Sequence, residues 1–131
     1  MSLPEFTHPF SIYETQAVVR ALESGSAAGV YLFDVREDFE VKAVPPLPRA
    51  VVVHFRDLEA AMKMWGAPFK NKYGVPKPSK KDRILVYALN ARRASSAAAY
   101  LVEIGYRHTA YLGATLSEYL DSTQGGLEED L

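Results

Sequence analysis

Three short runs of apolar residues set the strongest limit on the fold of this 131-residue chain. They are VYLFDV at 30–35, AVVVHF at 50–55 and ILVYAL at 84–89. Each run is apolar at consecutive positions and rich in β-branched or aromatic residues, which is typical of strands buried on both faces of a parallel sheet. Parallel neighbours need long crossover connections, and these are usually helices. The runs therefore predict a parallel sheet whose strands alternate with helices.

Helical patterns lie between the runs, as such a sheet requires. An alanine-rich helix follows the third run and has Gly105 as its stop, and HTAYL at 108–112 predicts a last strand. We therefore expect an α/β domain with a central, mostly parallel sheet of about five strands and helices on both faces. Residues spaced for one helical face are Ala17, Val18, Ala21 and Leu22, then Leu58, Ala61, Met62 and Trp65, and finally Leu116, Tyr119 and Leu120.

The chain divides into one domain with short additions at its ends. We place a single domain at 10–121 and an N-terminal extension at 1–9. Residues 122–131 are polar and acidic, and we expect them to be disordered.

Composition excludes several kinds of function. The chain has no cysteine, so disulfides, thiolate catalysis and thiolate metal sites are ruled out. Its three histidines are far apart, and we expect neither a metal site nor a cofactor. The formal net charge of −1 favours no nucleic-acid partner. With no signal peptide and no long apolar segment, we expect no membrane partner and a cytoplasmic location.

The segment VYALNARRASSAAAYLVEIGY at 86–106 predicts a strand, a tight turn and a helix. Ligands of parallel α/β sheets bind at the carboxyl ends of strands, and Ala88 to Arg93 lie at such an end. Amides at a helix start can hold an anion, so Leu89, Asn90, Ala91, Arg92 and Arg93 form a candidate anion-binding loop. The alternative, a connecting loop with solvated arginines, remains open.

Four segments, taken in order, resemble the rhodanese homology domain. LFDVREDFE at 32–40 is similar to its Asp-Val-Arg-Glu segment, and LPRAVVVHFRDLEAAM at 47–62 to its Ile-Pro-Gly-Ala segment with the next strand and helix. ILVYALNARRASSAAAYLVEIGY at 84–106 resembles the active-site strand, loop and helix, and AYLGATLSEYL at 110–120 the closing turn and helix. The insert between the second and third segments looks most like single-domain thiosulfate sulfurtransferases that pass sulfur to glutathione.

The resemblance assigns a role to each position of the loop. The family loop reads Cys-x-x-Gly-x-Arg, which places the nucleophile at Ala88, the glycine at Ala91 and the arginine at Arg93. In this family Asp34 and Arg36 would brace the site. A persulfide mechanism needs a thiolate, which a methyl group cannot replace. The resemblance thus implies a catalytically inactive domain that binds a small oxyanion or a protein. The alternative is a thiosulfate sulfurtransferase whose cysteine was replaced by alanine at position 88.

Overall fold

Four parallel strands form one sheet in the computed structural model, which describes residues 2–129 and their side chains up to Thr123. The strands are β1 (Val30–Asp34), β2 (Val51–Val52), β3 (Arg83–Tyr87) and β4 (Thr109–Tyr111), in the spatial order β2-β1-β3-β4. The helices are α1 (Ile12–Glu23), α2 (Asp38–Ala43), α3 (Leu58–Lys63), α4 (Gly66–Tyr73), α5 (Ala91–Glu103) and α6 (Leu116–Glu129).

The observed sheet confirms the expected α/β class and parallel direction. Four strands are present, and Phe10 adds a parallel one-residue bridge to Leu112 beside β4, so about five strands was close. The second run is the largest departure, because β2 has two residues where 50–55 predicted six. After β2, the chain turns through a single 3-10 turn at Phe55–Asp57 instead of extending the strand.

Two apolar clusters cover the two faces of the sheet. One joins β1 and β3 to α3, α4 and α5 through residues such as Phe33, Phe69 and Leu101. The other joins the sheet to α1, α6 and the N-terminal segment, in which Phe6 is buried. The helices therefore lie on both faces, as the sequence predicts.

The sequence predicts one apolar helical face at Leu58, Ala61, Met62 and Trp65, and this prediction is wrong for Trp65. The first three are buried, whereas Trp65 is 84% exposed. Helix α3 ends at Lys63 and the chain is extended at Trp65, so the seven-residue spacing no longer measures a helical face.

The last helix of the described residues is longer than the sequence indicates. Helix α6 continues to Glu129, beyond the boundary at 121, so most of the expected disordered tail at 122–131 has helical backbone. Residues 130 and 131 lie outside the described residues. Within the described part of the chain, no helix is long and apolar enough to cross a membrane.

Candidate functional site

The carboxyl edge of the sheet gathers every residue that the sequence assigns to the site. Asp34 ends β1 and pairs in register with Tyr87 at the end of β3. The turn from β1 to α2 carries Arg36, and the turn from β3 to α5 carries Ala88 and Leu89. Parallel strands therefore bring together two segments that are about fifty positions apart in sequence.

Ala88 is part of the protein core. Its side chain is 1% exposed and belongs to the cluster that packs β3 against α3 and α5. The family resemblance places a reactive thiol at this position, which here holds a buried methyl group. The described residues include no cysteine that could replace that thiol. This position contributes packing and no chemistry.

The loop after Ala88 is organised as a helix cap. Asn90 is the N-cap of α5, and its Oδ1 accepts the backbone N–H of Arg93 at 3.0 Å. The carbonyl of Asn90 accepts the N–H of Ala94 at 3.3 Å. Ala91 is the first residue of the helix, and its φ is not positive. Among the described residues other than glycine, only Arg49, which lies outside this loop, has a positive φ. The amides of Ala91 and Arg92 remain for solvent or a ligand.

A carboxylate from α2 binds the arginine of the loop. The Nη1 and Nη2 atoms of Arg93 donate to the two oxygens of Glu40 at 2.9 and 2.7 Å. The hydrogen bonds from Arg93 lower the pKa of Glu40, and the same bonds raise the pKa of Arg93. Glu40 also accepts the N–H of Glu37 at 2.8 Å, which closes the N-terminal turn of α2. The Arg93 guanidinium, which the sequence analysis assigns to a bound anion, is therefore paired with the carboxylate of Glu40.

Arg92 is the exposed arginine of the loop, beside an apolar surface that sequence reasoning missed. Together with Arg93, Phe55 and Ser96 it lines a cavity of about 140 Å³. Phe55 is 45% exposed and follows β2, and Leu89, 44% exposed, follows β3. Phe39, 70% exposed, lies in the first turn of α2, which follows β1. No local pattern marks these positions, because it is the parallel order of the strands that brings the three segments to the same end of the sheet.

A fully buried network of polar side chains connects the ends of β1 and β3 at this edge. Arg36 donates from Nε and Nη2 to Asp34 at 2.8–3.1 Å, and from Nη1 to the carbonyl of Glu40 at 3.2 Å. The hydroxyl of Tyr87 donates to Asp34 at 2.7 Å and accepts the N–H of Leu47 at 2.9 Å. The bracing role that the resemblance implies for Asp34 and Arg36 stays a prediction, and Tyr87, the third member of this network, was not foreseen.

Burial and the Asp34 charge act together on the network. Burial disfavours the charge of Arg36, but the hydrogen bonds and charge of Asp34 outweigh it, and the pKa of Arg36 is raised. Burial first, and then the negative charge of Asp34, raise the pKa of the Tyr87 hydroxyl. The raised pKa favours the protonated hydroxyl, which is the form that donates to Asp34.

His54 ties the turn after β2 to the same edge. Its Nδ1 donates to the carbonyl of Arg36 at 2.6 Å, and its Nε2 lies 4.0 Å from the carboxylate of Asp38. The His54 ring therefore connects the turn after β2 to the turn after β1. Among the residues that the structure describes, no three His, Asp or Glu side chains gather as metal ligands would.

Comparison with known proteins agrees with this geometry. A family model described as Rhodanese-like domain matches residues 14–120. The thiosulfate:glutathione sulfurtransferase of Saccharomyces cerevisiae is 26% identical over 102 residues, covering 78% of this chain and 71% of that protein. The Rhodanese domain-containing protein CG4456 of Drosophila melanogaster is 29% identical over 90 residues, covering 69% and 81%.

A solved structure shows the same likeness in three dimensions. The human single-domain sulfurtransferase TSTD1 superposes with a TM-score of 0.74 at 26% identity, over 86% of this chain and 95% of that one. The match therefore covers both the fold and most of the sequence, from α1 to the start of α6. On these grounds the chain belongs to the family of rhodanese-like domains, and it resembles the single-domain sulfurtransferases within it.

Proposed function

We propose that this chain is a catalytically inactive rhodanese-like module that acts by binding, through the carboxyl edge of its sheet. The buried methyl of Ala88, in a chain without cysteine, carries this proposal. Sulfur transfer of the family type forms a persulfide on a thiolate, and the step has no partial version without sulfur. Relatives named as sulfurtransferases therefore support the fold and the place of the site, but not its chemistry.

The loop geometry favours binding over a dormant reaction centre. The Asn90 side chain accepts the N–H of Arg93, one of the amides that would face an anion. The carboxylate of Glu40 accepts hydrogen bonds from the Arg93 guanidinium. A loop shaped for persulfide chemistry needs these groups free, because they must stabilise the thiolate. In this chain they are used to fix the start of α5 and its position against α2.

The surface around the loop suits a protein partner. We name it the edge surface and define it as Phe39, Phe55, Leu89 and Arg92. Three exposed apolar side chains and a guanidinium are the kind of groups that dominate the energetics of protein interfaces. The cavity beside Phe55, about 140 Å³, is small compared with the roughly 300–1,000 Å³ of small-molecule sites, but it accommodates one side chain. The partner chemistry is an apolar side chain next to a carboxylate.

A small oxyanion is the second candidate ligand of this edge. The free amides of Ala91 and Arg92 and the exposed guanidinium of Arg92 favour it. Because Glu40 repels a second anion near Arg93, we expect such binding to be weak and salt-sensitive.

The experiment has two arms. Purified protein is assayed for sulfur transfer from thiosulfate to cyanide and to glutathione, and we expect the uncatalysed rate. A photoreactive phenylalanine analogue is then placed at position 55 and, as a matched control, at exposed Lys81 on the opposite edge of the sheet. We expect cellular protein cross-links from position 55 that Arg92→Glu removes, and none of the same proteins from position 81.

Each arm has an outcome that contradicts the proposal. Turnover that follows the protein through purification would show that the chain is an enzyme after all. Identical cross-links from both positions would remove the edge surface as a docking site. In that case a sulfate titration, followed by the NMR shifts of the Ala91 and Arg92 amides, decides whether the oxyanion is the ligand.

A further inference from the structure

The turn before β2 holds an arginine in a backbone conformation that favours glycine. Leu47 to Ala50 form this turn, in which the N–H of Ala50 donates to the carbonyl of Leu47 at 3.1 Å. Pro48 takes the second position, and Arg49, at the third, has a φ of 66°. Because proline fixes a negative φ, this is a type II turn, whose third residue is ordinarily glycine or asparagine. Residues 47–50 are similar to an Ile-Pro-Gly-Ala segment, so arginine stands where the resemblance places glycine.

The side chain of Arg49 has no carboxylate partner among the ion pairs of the described residues. It lines a cavity of about 260 Å³ at the side of the sheet. Residues with a strained backbone cluster at functional sites. The arginine at this strained position therefore indicates a role for its positive charge in the cavity.

The walls of this cavity are mostly apolar and come from both faces of the sheet. Leu22 of α1 contributes from one face, and Val75 and Pro76, which follow α4, contribute from the other. Arg49 is the single charged residue of the described chain that lines the cavity. The cavity thus combines an apolar interior with one unpaired cation.

Two polar groups in the walls already have partners within the protein. The N–H of Val30 donates to the carbonyl of Ala27 at 3.2 Å. The hydroxyl of Tyr31 donates to the carbonyl of Pro76 at 2.9 Å. Neither group has a donor left for a ligand, so the guanidinium of Arg49 is the donor that a ligand would meet.

We propose that this cavity binds a small aliphatic carboxylate, with its carboxylate on Arg49 and its hydrocarbon chain against the apolar walls. A guanidinium binds a carboxylate through two parallel hydrogen bonds, and its single charge matches a monoanion better than a phosphate dianion. A peptide carboxyl terminus has the same end group, but its backbone amides need partners that Val30 and Tyr31 do not offer.

The size and place of the cavity define the ligand further. Its volume of about 260 Å³ lies below the roughly 300–1,000 Å³ of drug-sized sites, which suits a chain of about six carbons. The cavity lies at the opposite end of the strands from the edge surface, because it is lined by the start of β1 and the turn before β2. The proposal is therefore independent of the proposed function.

The probe is hexanoate, compared with hexanol, which keeps the chain without the charge, and with acetate, which keeps the carboxylate without the chain. We expect hexanoate to shift the NMR methyl signals of Leu22, Val51 and Val75 at low ionic strength. Hexanol and acetate should bind about tenfold more weakly, since each lacks one of the two interactions. Because Arg49 is exposed, high salt should weaken the binding of hexanoate and leave that of hexanol unchanged.

Arg49→Gly is the sharpest variant, because it removes the guanidinium and relieves the left-handed backbone. We expect hexanoate to lose about tenfold in affinity and to bind no better than hexanol, with no loss of thermal stability. Arg20→Ala, which removes an exposed arginine of α1 that does not line the cavity, is the matched control and should bind hexanoate normally.

Four results would overturn the proposal. Equal binding of hexanoate and hexanol, or normal binding of hexanoate by Arg49→Gly, would remove the role of Arg49. Binding of acetyl-leucine as tight as that of hexanoate would assign the cavity to a peptide carboxyl terminus. Shifts confined to residues 88–93 would place the carboxylate at the loop before α5.

Discussion

The Asp34–Arg36–Tyr87 network and the loop from Ala88 to Arg93 lie together at one edge of the sheet, yet they differ in what a substitution costs. Every polar atom of the network side chains has a partner, and the network is fully buried. The loop is partly exposed, and its first residue, Ala88, has a methyl group that packs into the core. Substitution of any member of the network should therefore destabilise the fold. The loop, in contrast, holds alanine where the resemblance places the reactive group.

Physical chemistry accounts for this difference. Removing one member of a buried ion pair leaves the other charge in a low-dielectric interior without compensation. Replacing a thiol by a methyl group removes one polarisable atom and no obligatory hydrogen bond. A domain of this family can therefore hold alanine at this position without losing its fold, provided that the network stays intact.

Breaking the network should have the largest effect. Arg36→Met leaves the carboxylate of Asp34 buried beside Tyr87 without its cation. We expect the free energy of unfolding to fall by about 3–5 kcal/mol, measured by urea denaturation. Arg92→Ala, an exposed arginine of the neighbouring loop, is the control and should change stability by less than about 0.5 kcal/mol. A loss below 1 kcal/mol for Arg36→Met would mean that the network does not brace the edge.

The link between the loop and α2 should have an intermediate, pH-dependent effect. Glu40→Gln removes the negative charge that holds Arg93, and we expect a loss of about 1 kcal/mol at pH 7. Because Arg93 lowers the folded-state pKa of Glu40, this contribution is complete above the unfolded pKa of about 4.3 and disappears as the pH falls through the lower folded value.

The measurement is a comparison of unfolding curves from pH 7 down to pH 3. The difference between the wild-type protein and Glu40→Gln should narrow below about pH 4.3. Glu59→Gln, whose carboxylate forms an exposed pair with Lys63, serves as the control and should show almost no difference. A gap that stays constant down to pH 3 would contradict the charge-based explanation.

Restoring the missing atom should have the smallest effect on stability. We expect Ala88→Cys to change the free energy of unfolding by less than about 1 kcal/mol, because it adds a single heavy atom, which a staggered χ1 rotamer can direct toward the free amides of Ala91 and Arg92. Those amides should lower the thiol pKa below the ordinary value of about 8.5. The thiol pKa is measured from the rate of iodoacetamide alkylation as a function of pH.

The double variant Ala88→Cys, Ala91→Gly tests whether the helical start of α5 limits this thiol. If Ala91 is the obstacle, the double variant should alkylate faster than the single one at pH 7. A double variant no faster than an exposed model thiol would mean that the inherited geometry of the site is gone. Sulfur transfer by either variant would favour the alternative of a replaced sulfurtransferase cysteine.

The sequence predicted the parts of the fold that depend on local patterns. Apolar runs located β1 and β3, and the alanine-rich segment located α5, because burial on both faces and helical spacing are visible residue by residue. The length of β2 was overestimated mainly at its end, because the chain turns through the 3-10 turn at Phe55–Asp57 instead of extending the strand to residue 55. The contacts of Trp65 were misjudged for a similar reason, as the end of α3 after Lys63 is not marked in the sequence.

The site was predictable in position but not in its ion pairs. The strand-turn-helix pattern and the family resemblance placed Ala88 to Arg93 at the carboxyl edge. Glu40 lies in the first turn of α2, and its bond to Arg93 joins residues 53 positions apart. Pairing at that distance follows from the packing of α2 against α5, which only the folded chain reveals.

The bond from the Leu47 amide to the Tyr87 hydroxyl has a consequence for the dynamics of the domain. Leu47 lies in an irregular segment between α2 and β2, where amides ordinarily exchange with deuterium through small local openings. Its N–H is instead held by the end of a central strand, inside a network that includes a buried ion pair. Exposing this amide requires the network to separate, so it should exchange as slowly as the amides of β3, and this connection should belong to the last part of the molecule to open.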